Sequence, residues 1–320
     1  MKFATPIYPF LLSPILVVAY LFWGHHHVGS PCTQPKPTAH TKTDWIQHWK
    51  QNPPCSDTEL RNNALALRSS PTNCPTERWY WDWQSKKSSH AFVYIEIGCN
   101  KGTDAITNVR AYTGDPSVDV VSWMKHIQMG STACPMDMAL WDRIKRAGRK
   151  TGLKVFNLAF SSSAVPATAK FPVIPSGVES VGIDTDHSDY KSFYDVRVTT
   201  VDQFVRTEGI RRIDVLKIDT EGNDALVLIG AVKSIMTFKP SYVQFENHGV
   251  GHWSKISLKD VIDLLDTLSY DCFWATNDGR LIRITSCWSP SYEKVKSWSN
   301  VACSHRDDVL LSKIMTEYVV

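Results

Sequence analysis

Apolar residues recur along this chain in blocks whose period changes. Residues 7–23 read IYPFLLSPILVVAYLFW without a charge, a length at the short end of what a helix needs to cross a bilayer. Lys2 and the free amine precede the block, and the next basic residue is Lys36. That bias places the N-terminus in the cytosol and the remainder in a lumen. Leu21-Phe22-Trp23-Gly24-His25 has no small-x-small cleavage pattern, so an uncleaved anchor helix is expected over residues 1–24 rather than a signal peptide. Residues 25–42 are rich in Pro, Thr and His and lack an apolar period, as a stem does. Residues 25–90 are thus read as stem and N-terminal extension. The extension holds a short helix at residues 57–68. It also holds Trp79-Tyr80-Trp81-Asp82-Trp83, whose alternating aromatics predict a strand or a packed entry into the core. A sugar-stacking platform is the lesser alternative there.

From residue 91 onward the pattern is α/β. Residues 91–97 (AFVYIEI) form an apolar run before a glycine turn, as a buried parallel strand does. Residues 153–160, 213–218 and 242–245 repeat the theme, and residues 224–236 between the last two are helix-like. Strands alternating with helices predict a Rossmann-like, mainly parallel sheet with crossover helices over residues 91–320. Ser257 begins a helix, with Asp260 three positions on and Val261, Leu264, Leu265 and Leu268 along one face. Residues 270–275 and 281–285 flank Asn277-Asp278-Gly279, a hairpin turn signal. An antiparallel hairpin should therefore close one edge of the sheet.

Composition narrows the function classes. With 320 residues and 43% hydrophobic content, the chain can bury one substantial core. A net charge of +3 and no dense Lys/Arg block exclude nucleic acid as a partner. The 8 cysteines include no C-x-x-C pair, which points to disulfides in an oxidising lumen and away from a zinc site. Their pairing is not legible from spacing. The absence of any N-x-S/T sequon runs against a lumenal life.

Three stretches carry chemistry. In EIGCNKG, Glu96 to Gly102, Gly98 stands where a side chain would clash with a ligand and Gly102 lets the next segment pack closely. Glu96 at the strand tip can accept from an ammonium or a hydroxyl. In DVLKIDTEGND, Lys217, Asp219 and Glu221 alternate with apolar residues and emerge at the carboxyl end of a central strand, where open α/β sheets place their sites. Helix capping explains one acid there, not two. In QFENHG, Glu246 and His248 would face the same crevice, the histidine as base, orienter or bystander.

Together these stretches resemble the FkbM methyltransferase family. The family pattern of an acid, then G-x-N-x-G, is met by Glu96, Gly98, Asn100 and Gly102. Its K-I-D-x-E-G element followed by V-L-x-G-A is met by Lys217, Ile218, Asp219, Glu221 and Gly222, then Val227, Leu228, Gly230 and Ala231. Val198-Thr199-Thr200-Val201-Asp202-Gln203-Phe204 and the tail Trp298 to Cys303 are similar to family segments as well. The resemblance implies S-adenosylmethionine as cofactor, O-methylation as reaction, and a carbohydrate or glycan hydroxyl as acceptor. It points to Glu96, Gly98, Asn100, Gly102 and Lys217 as cofactor residues, with Asp137 as substitute for the missing ribose acid; Asp219, Glu221, Glu246 or His248 are the catalytic candidates that could assist proton transfer. No resident metal is expected, although clustered carboxylates suit Mg²⁺ or Ca²⁺. Where the family carries Glu-Pro at the second strand tip, Cys134-Pro135 stands here, with Asp137 the nearest acid. That departure favours the rival reading, a glycan-binding or scaffold module that has lost its cofactor. With the anchor, the expected setting is the membrane of the Golgi or endoplasmic reticulum, with the C-terminal domain in the lumen.

Overall fold

The computed structural model describes residues 16–21, 54–73, 75–87, 93–98, 153–173, 181–183 and 185–320. An 8-stranded sheet organises them. Its strands are β1 (Leu16–Leu21), β2 (Val93–Ile97), β3 (Leu153–Asn157), β7 (Val215–Ile218), β8 (Tyr242–Asn247), β9 (Tyr270–Ala275), β10 (Leu281–Arg283) and β11 (Ser299–His305). They lie in the order β10-β9-β11-β8-β7-β2-β1-β3. A second, three-stranded sheet is made by β4 (Ala159–Phe160), β6 (Phe193–Thr199) and β5 (Thr168–Pro172).

β2, β7 and β8 pair in parallel at the centre. They read as continuous apolar runs because both faces are covered: every β2 residue is buried, and Val215, Leu216 and Ile218 of β7 are too. β11 and β1 enter antiparallel to their neighbours on both sides. Hence β3, β2, β7, β8 and β9 run one way while β1, β10 and β11 oppose them, a mixed α/β sheet with a mainly parallel frame. The expected hairpin is present as β9 and β10 around Thr276 to Gly279, where Gly279 N–H donates to Thr276 O at 3.0 Å.

Several elements differ from the sequence pattern. Leu16–Leu21, inside the stretch expected to be an anchor helix, is extended and lies between β2 and β3. Six apolar residues that include two Val and a Tyr suit a buried strand as well as a membrane helix, and periodicity alone does not separate the two. Among the described residues no helix is long and apolar enough to cross a membrane. The aromatic run is not a strand but part of helix α2 (Arg78–Lys86), which buries Trp79, Tyr80 and Trp83. Helical spacing puts Trp79, Tyr80 and Trp83 on one side, and that side is core. Helix α1 (Asp57–Ser69) starts with a capping box between Ser56 and Glu59. Cys55 just before it is bonded to Cys287, and Cys272 of β9 is bonded to Cys303 of β11.

The helix-like stretch after β7 is two helices, α4 (Asp224–Ile229) and α5 (Val232–Phe238), preceded by α3 (Val201–Thr207) and followed by α6 (Leu258–Thr267) and α7 (Val309–Glu317). The break at Gly230 follows from close approach, since a Cβ there would stand 2.2 Å from Ser161 O. α7 packs on α2, with Tyr318 edge-on to Trp79 at 6.1 Å. β11 went unrecognised in the sequence because Ser299, Asn300, Ser304 and His305 interrupt its apolar run, yet all its residues are buried.

Candidate functional site at the carboxyl edge of the sheet

The ends of β2, β7 and β8 bring the predicted acids together. β2 and β7 are in register with Glu96 beside Lys217 and Ile97 beside Ile218. Beyond Ile218 the chain turns at once. Asp219 N–H donates to Ile97 O at 2.8 Å, tying the two strand ends. Gly98 has φ +91°, and a Cβ on it would stand 1.6 Å from Asp219 O. Glycine is thus demanded first by the neighbouring strand, whatever ligand approaches afterwards. In the next turn Glu221 sits at φ 53° and Gly222 at φ 105°. A non-glycine residue in the left-handed region is uncommon and is found most often where function holds it.

Asp224, at the start of α4, is a site residue that sequence reasoning passed over as part of a helix start. It is 0% exposed. Its Oδ2 accepts from Thr220 Oγ1 at 3.0 Å and Gly222 N–H at 3.3 Å, and its Oδ1 accepts from Glu246 N–H at 3.3 Å. One carboxyl therefore fastens the β7 turn to the tip of β8. His252 N–H closes the same seam by donating to Gly222 O at 2.9 Å.

Across that seam lie Glu246 and His248. One carboxylate oxygen from each of Glu221 and Glu246 and one ring nitrogen of His248 all lie within 4.8 Å of one another. β11 supplies the outer wall: Asn300, in register with Glu246, donates to its Oε1 at 3.4 Å. Trp298, just before β11, stacks on His248 with centroids 5.5 Å apart and donates to Glu221 Oε2 at 3.3 Å. Trp298 is itself left-handed at φ 50° and remains 41% exposed. A polar chain continues inward from Asn300 Oδ1 to Gln244 Nε2 at 3.1 Å, and from that nitrogen to Glu77 Oε1 at 2.6 Å. Glu77 belongs to the N-terminal extension, so the site's polar shell reaches outside the α/β pattern.

Burial and crowding set the protonation. Glu96 is 3% exposed and its Oε2 has no partner among the described residues; burial, with Asp219 and Glu77 adding, lifts it to about 7 against the pull of Lys217. Glu246 is pushed well above the carboxylate range by burial, then by Asp219, Asp224 and Glu221. Burial raises Asp224 to about 6 although its hydrogen bonds oppose the shift. Burial alone would lower Lys217, but the summed attraction of Glu77, Glu96, Asp219 and Glu246 outweighs it and raises the ammonium. His248, wholly buried, is lowered to about 4 by desolvation. It is therefore neutral at physiological pH. Its Nδ1 accepts from Val250 N–H at 3.3 Å, and its Nε2 has no partner among the described residues.

Of the residues expected in the site, Glu96, Gly98, Lys217, Asp219, Glu221, Glu246 and His248 gather at this edge. Asn100, Gly102 and Asp137 lie outside the described residues, as does Cys134. Asp224, Trp298, Asn300 and Glu77 were missed; the sole signal was the Trp298 to Cys303 tail, noticed without a role.

The mixed α/β sheet thus carries acids clustered beyond the carboxyl ends of adjacent parallel strands, the place where open α/β sheets hold their ligands. Residues 139–272 match the family model of the methyltransferase FkbM domain, which supports methyl transfer as the activity. The match contains Lys217, Asp219, Glu221, Asp224, Glu246 and His248. Glu96, Gly98 and the Trp298–Asn300 wall fall outside it. No curated protein and no solved structure matches the chain.

Proposed function

We propose that this chain is an S-adenosylmethionine-dependent O-methyltransferase whose acceptor is a neutral carbohydrate or glycan hydroxyl. The observation that carries the reading is the acid group at the ends of β7 and β8, which lies wholly inside the matched stretch. The cofactor's fit rests on Glu96: a buried, unpartnered carboxyl oxygen at the β2 tip, directly before the left-handed Gly98, suits an ammonium or hydroxyl donor. Glu96 and the backbone beside Gly98 would hold it. When bound, the cofactor supplies an electrophilic methyl on a positively charged sulfur.

The chain's own groups then bind the acceptor, orient it and take its proton. Several carboxyl groups at one edge repel anionic acceptors and favour a neutral, hydroxyl-rich one. Glu246 holds a proton at neutral pH in the metal-free protein because burial and its acidic neighbours raise its proton affinity, so it is not the base. His248 is a weak base at a pKa of about 4 and serves as a neutral orienting group. Asp219, between Glu96 and Glu246, is left to take the hydroxyl proton. Asp219→Asn should lower methyl transfer from labelled cofactor to a glycan acceptor pool by about a hundredfold or more, the scale of lost acid–base assistance. Its thermal midpoint should stay within a few degrees. Near-full turnover in that variant would remove Asp219 from the reaction; no transfer by the wild-type chain to any pool would remove the enzyme reading.

The proposed setting is the lumen of the secretory pathway. The Cys55–Cys287 and Cys272–Cys303 bonds support it, since such bonds persist in oxidising compartments. With Leu16–Leu21 paired in the sheet, the proposal rests on the cysteines rather than on an anchor.

A further inference from the structure

We propose that Glu221, Glu246 and His248 form a binding site for a divalent transition-series cation such as manganese or zinc. The three come from two turns that Asp224 locks together, so the donor set is held by the fold rather than by chance contact at a surface. Their nearest ligand atoms lie within 4.8 Å of one another, a spread that one ion can span by drawing the side chains inward. Two features point beyond an acidic cluster. First, His248 is wholly buried, one of its ring nitrogens lies within 4.8 Å of a carboxylate oxygen of each glutamate, and its Nε2 has no hydrogen-bond partner among the described residues. Buried polar atoms are normally satisfied, and an orphan nitrogen on a ring that lies beside two glutamates asks for a ligand. Second, both carboxylates have one oxygen held by a neutral donor, Glu221 by Trp298 and Glu246 by Asn300. Outer hydrogen bonds of this kind orient metal ligands.

The ring of His248 is held flat by the Trp298 stack. Ligation through Nε2 would move the ring proton to Nδ1 and give up the long contact from Val250 N–H, 3.3 Å, whose donor must then turn from the Nδ1 proton. Two carboxylate oxygens with one imidazole nitrogen favour Mn²⁺ or Zn²⁺ over Mg²⁺ and Ca²⁺, which prefer oxygen alone. Binding displaces the proton that Glu246 holds in the metal-free protein, as ligation by a carboxyl group requires, and three protein ligands leave positions open for a hydroxyl oxygen. The use of the ion rests on the methyl-transfer reading: bound to the acceptor oxygen, it would make that oxygen easier to deprotonate, with Asp219 taking the proton. Binding of the ion does not depend on that reading.

The test uses the full chain, stripped with chelator and titrated with Mn²⁺ under electron paramagnetic resonance. A single class of tight site is expected, with nitrogen modulation from one imidazole in the pulsed spectrum. His248→Gln and Glu221→Gln should each weaken Mn²⁺ by about tenfold or more. Glu221 is half-exposed, so its variant keeps the test open if the buried histidine variant misfolds. No Mn²⁺ binding, no nitrogen modulation, or affinity unchanged in Glu221→Gln would overturn the site. Titration with S-adenosylhomocysteine is run in parallel on the stripped protein. Retained affinity there with no Mn²⁺ bound overturns the cation site and spares the methyltransferase. Mn²⁺ bound with no S-adenosylhomocysteine affinity supports the cation site and removes the methyltransferase.

Discussion

A buried carboxyl group and a buried imidazole respond to pH in opposite directions, and this site contains both. Glu96 and Glu246 have folded pKa values raised above the ordinary 4.5 by burial. Such groups favour the folded state while protonated; the contribution is full below the unfolded value and is lost as pH rises through the folded one. His248 is lowered from 6.5 to about 4, so its contribution is present above 6.5 and is lost on acidification through 4. Between about pH 6.5 and about pH 9 the histidine is neutral in both states and the two glutamates dominate. The thermal midpoint should fall across that window in the metal-free protein. Glu246→Gln, which carries no titrating proton, should flatten the fall, and an equal slope in both proteins would show that Glu246 is ionised throughout. Gly98 belongs to the same scale. With its Cβ position 1.6 Å from Asp219 O, any side chain there displaces β7, so substitution perturbs the fold as well as ligand approach.

Among the elements, α6 shows how a local signal and a tertiary partner divide the work. Ser257 caps the helix, its Oγ accepting from Lys259 N–H at 3.1 Å. Asp260, the acid that the capping pattern singles out, is exposed, and the capping groups come from elsewhere. Glu293, in the 3₁₀ turn Pro290–Lys294, accepts from Ser257 Oγ at 2.5 Å, Lys259 N–H at 3.1 Å and Leu258 N–H at 3.3 Å. Glu293→Ala should cost about 1–2 kcal/mol, the scale of a lost cap with charged hydrogen bonds. Asp260→Ala should stay within about 0.5 kcal/mol, as exposed substitutions do. Urea unfolding of both variants compares them, and equal losses would restore the role to Asp260.

Over the whole molecule, the N-terminal extension is bound to the α/β unit at both ends of its helical pair. Cys55 is bonded to Cys287 across 232 positions, and α2 inserts Trp79 against Tyr318, just after α7, and against Tyr242 of β8. Closing so long a loop lowers the entropy of the unfolded chain, so Cys55→Ser should cost about 2–5 kcal/mol and lower the thermal midpoint. In protein taken from cells with thiols trapped, Cys55, Cys272, Cys287 and Cys303 should resist alkylation until reduced. Free thiols at these positions would remove the proposed lumenal setting.

Taken alone, the sequence determined what local periodicity and turn chemistry encode. The apolar runs at β2, β7 and β8, the hairpin around Asn277 to Gly279, and the acids at these three strand ends were all legible. Each is written in consecutive residues: a run with period 2 or none, then a glycine or an acid where the strand must stop. Tertiary structure decided what depends on partners far away in the chain. The apolar run at Leu16–Leu21 fits a membrane or a sheet equally, and pairing with β2 and β3 is what makes it a strand. Ser299–His305 lacks an apolar period, and burial between β8 and β9 is what makes it one. Trp298, Asn300, Asp224 and Glu77 join the site because the turns that carry them meet there. No spacing within one segment records which carboxyl groups will be neighbours, since their proton affinities arise from burial and from charges that only the assembled sheet edge brings close.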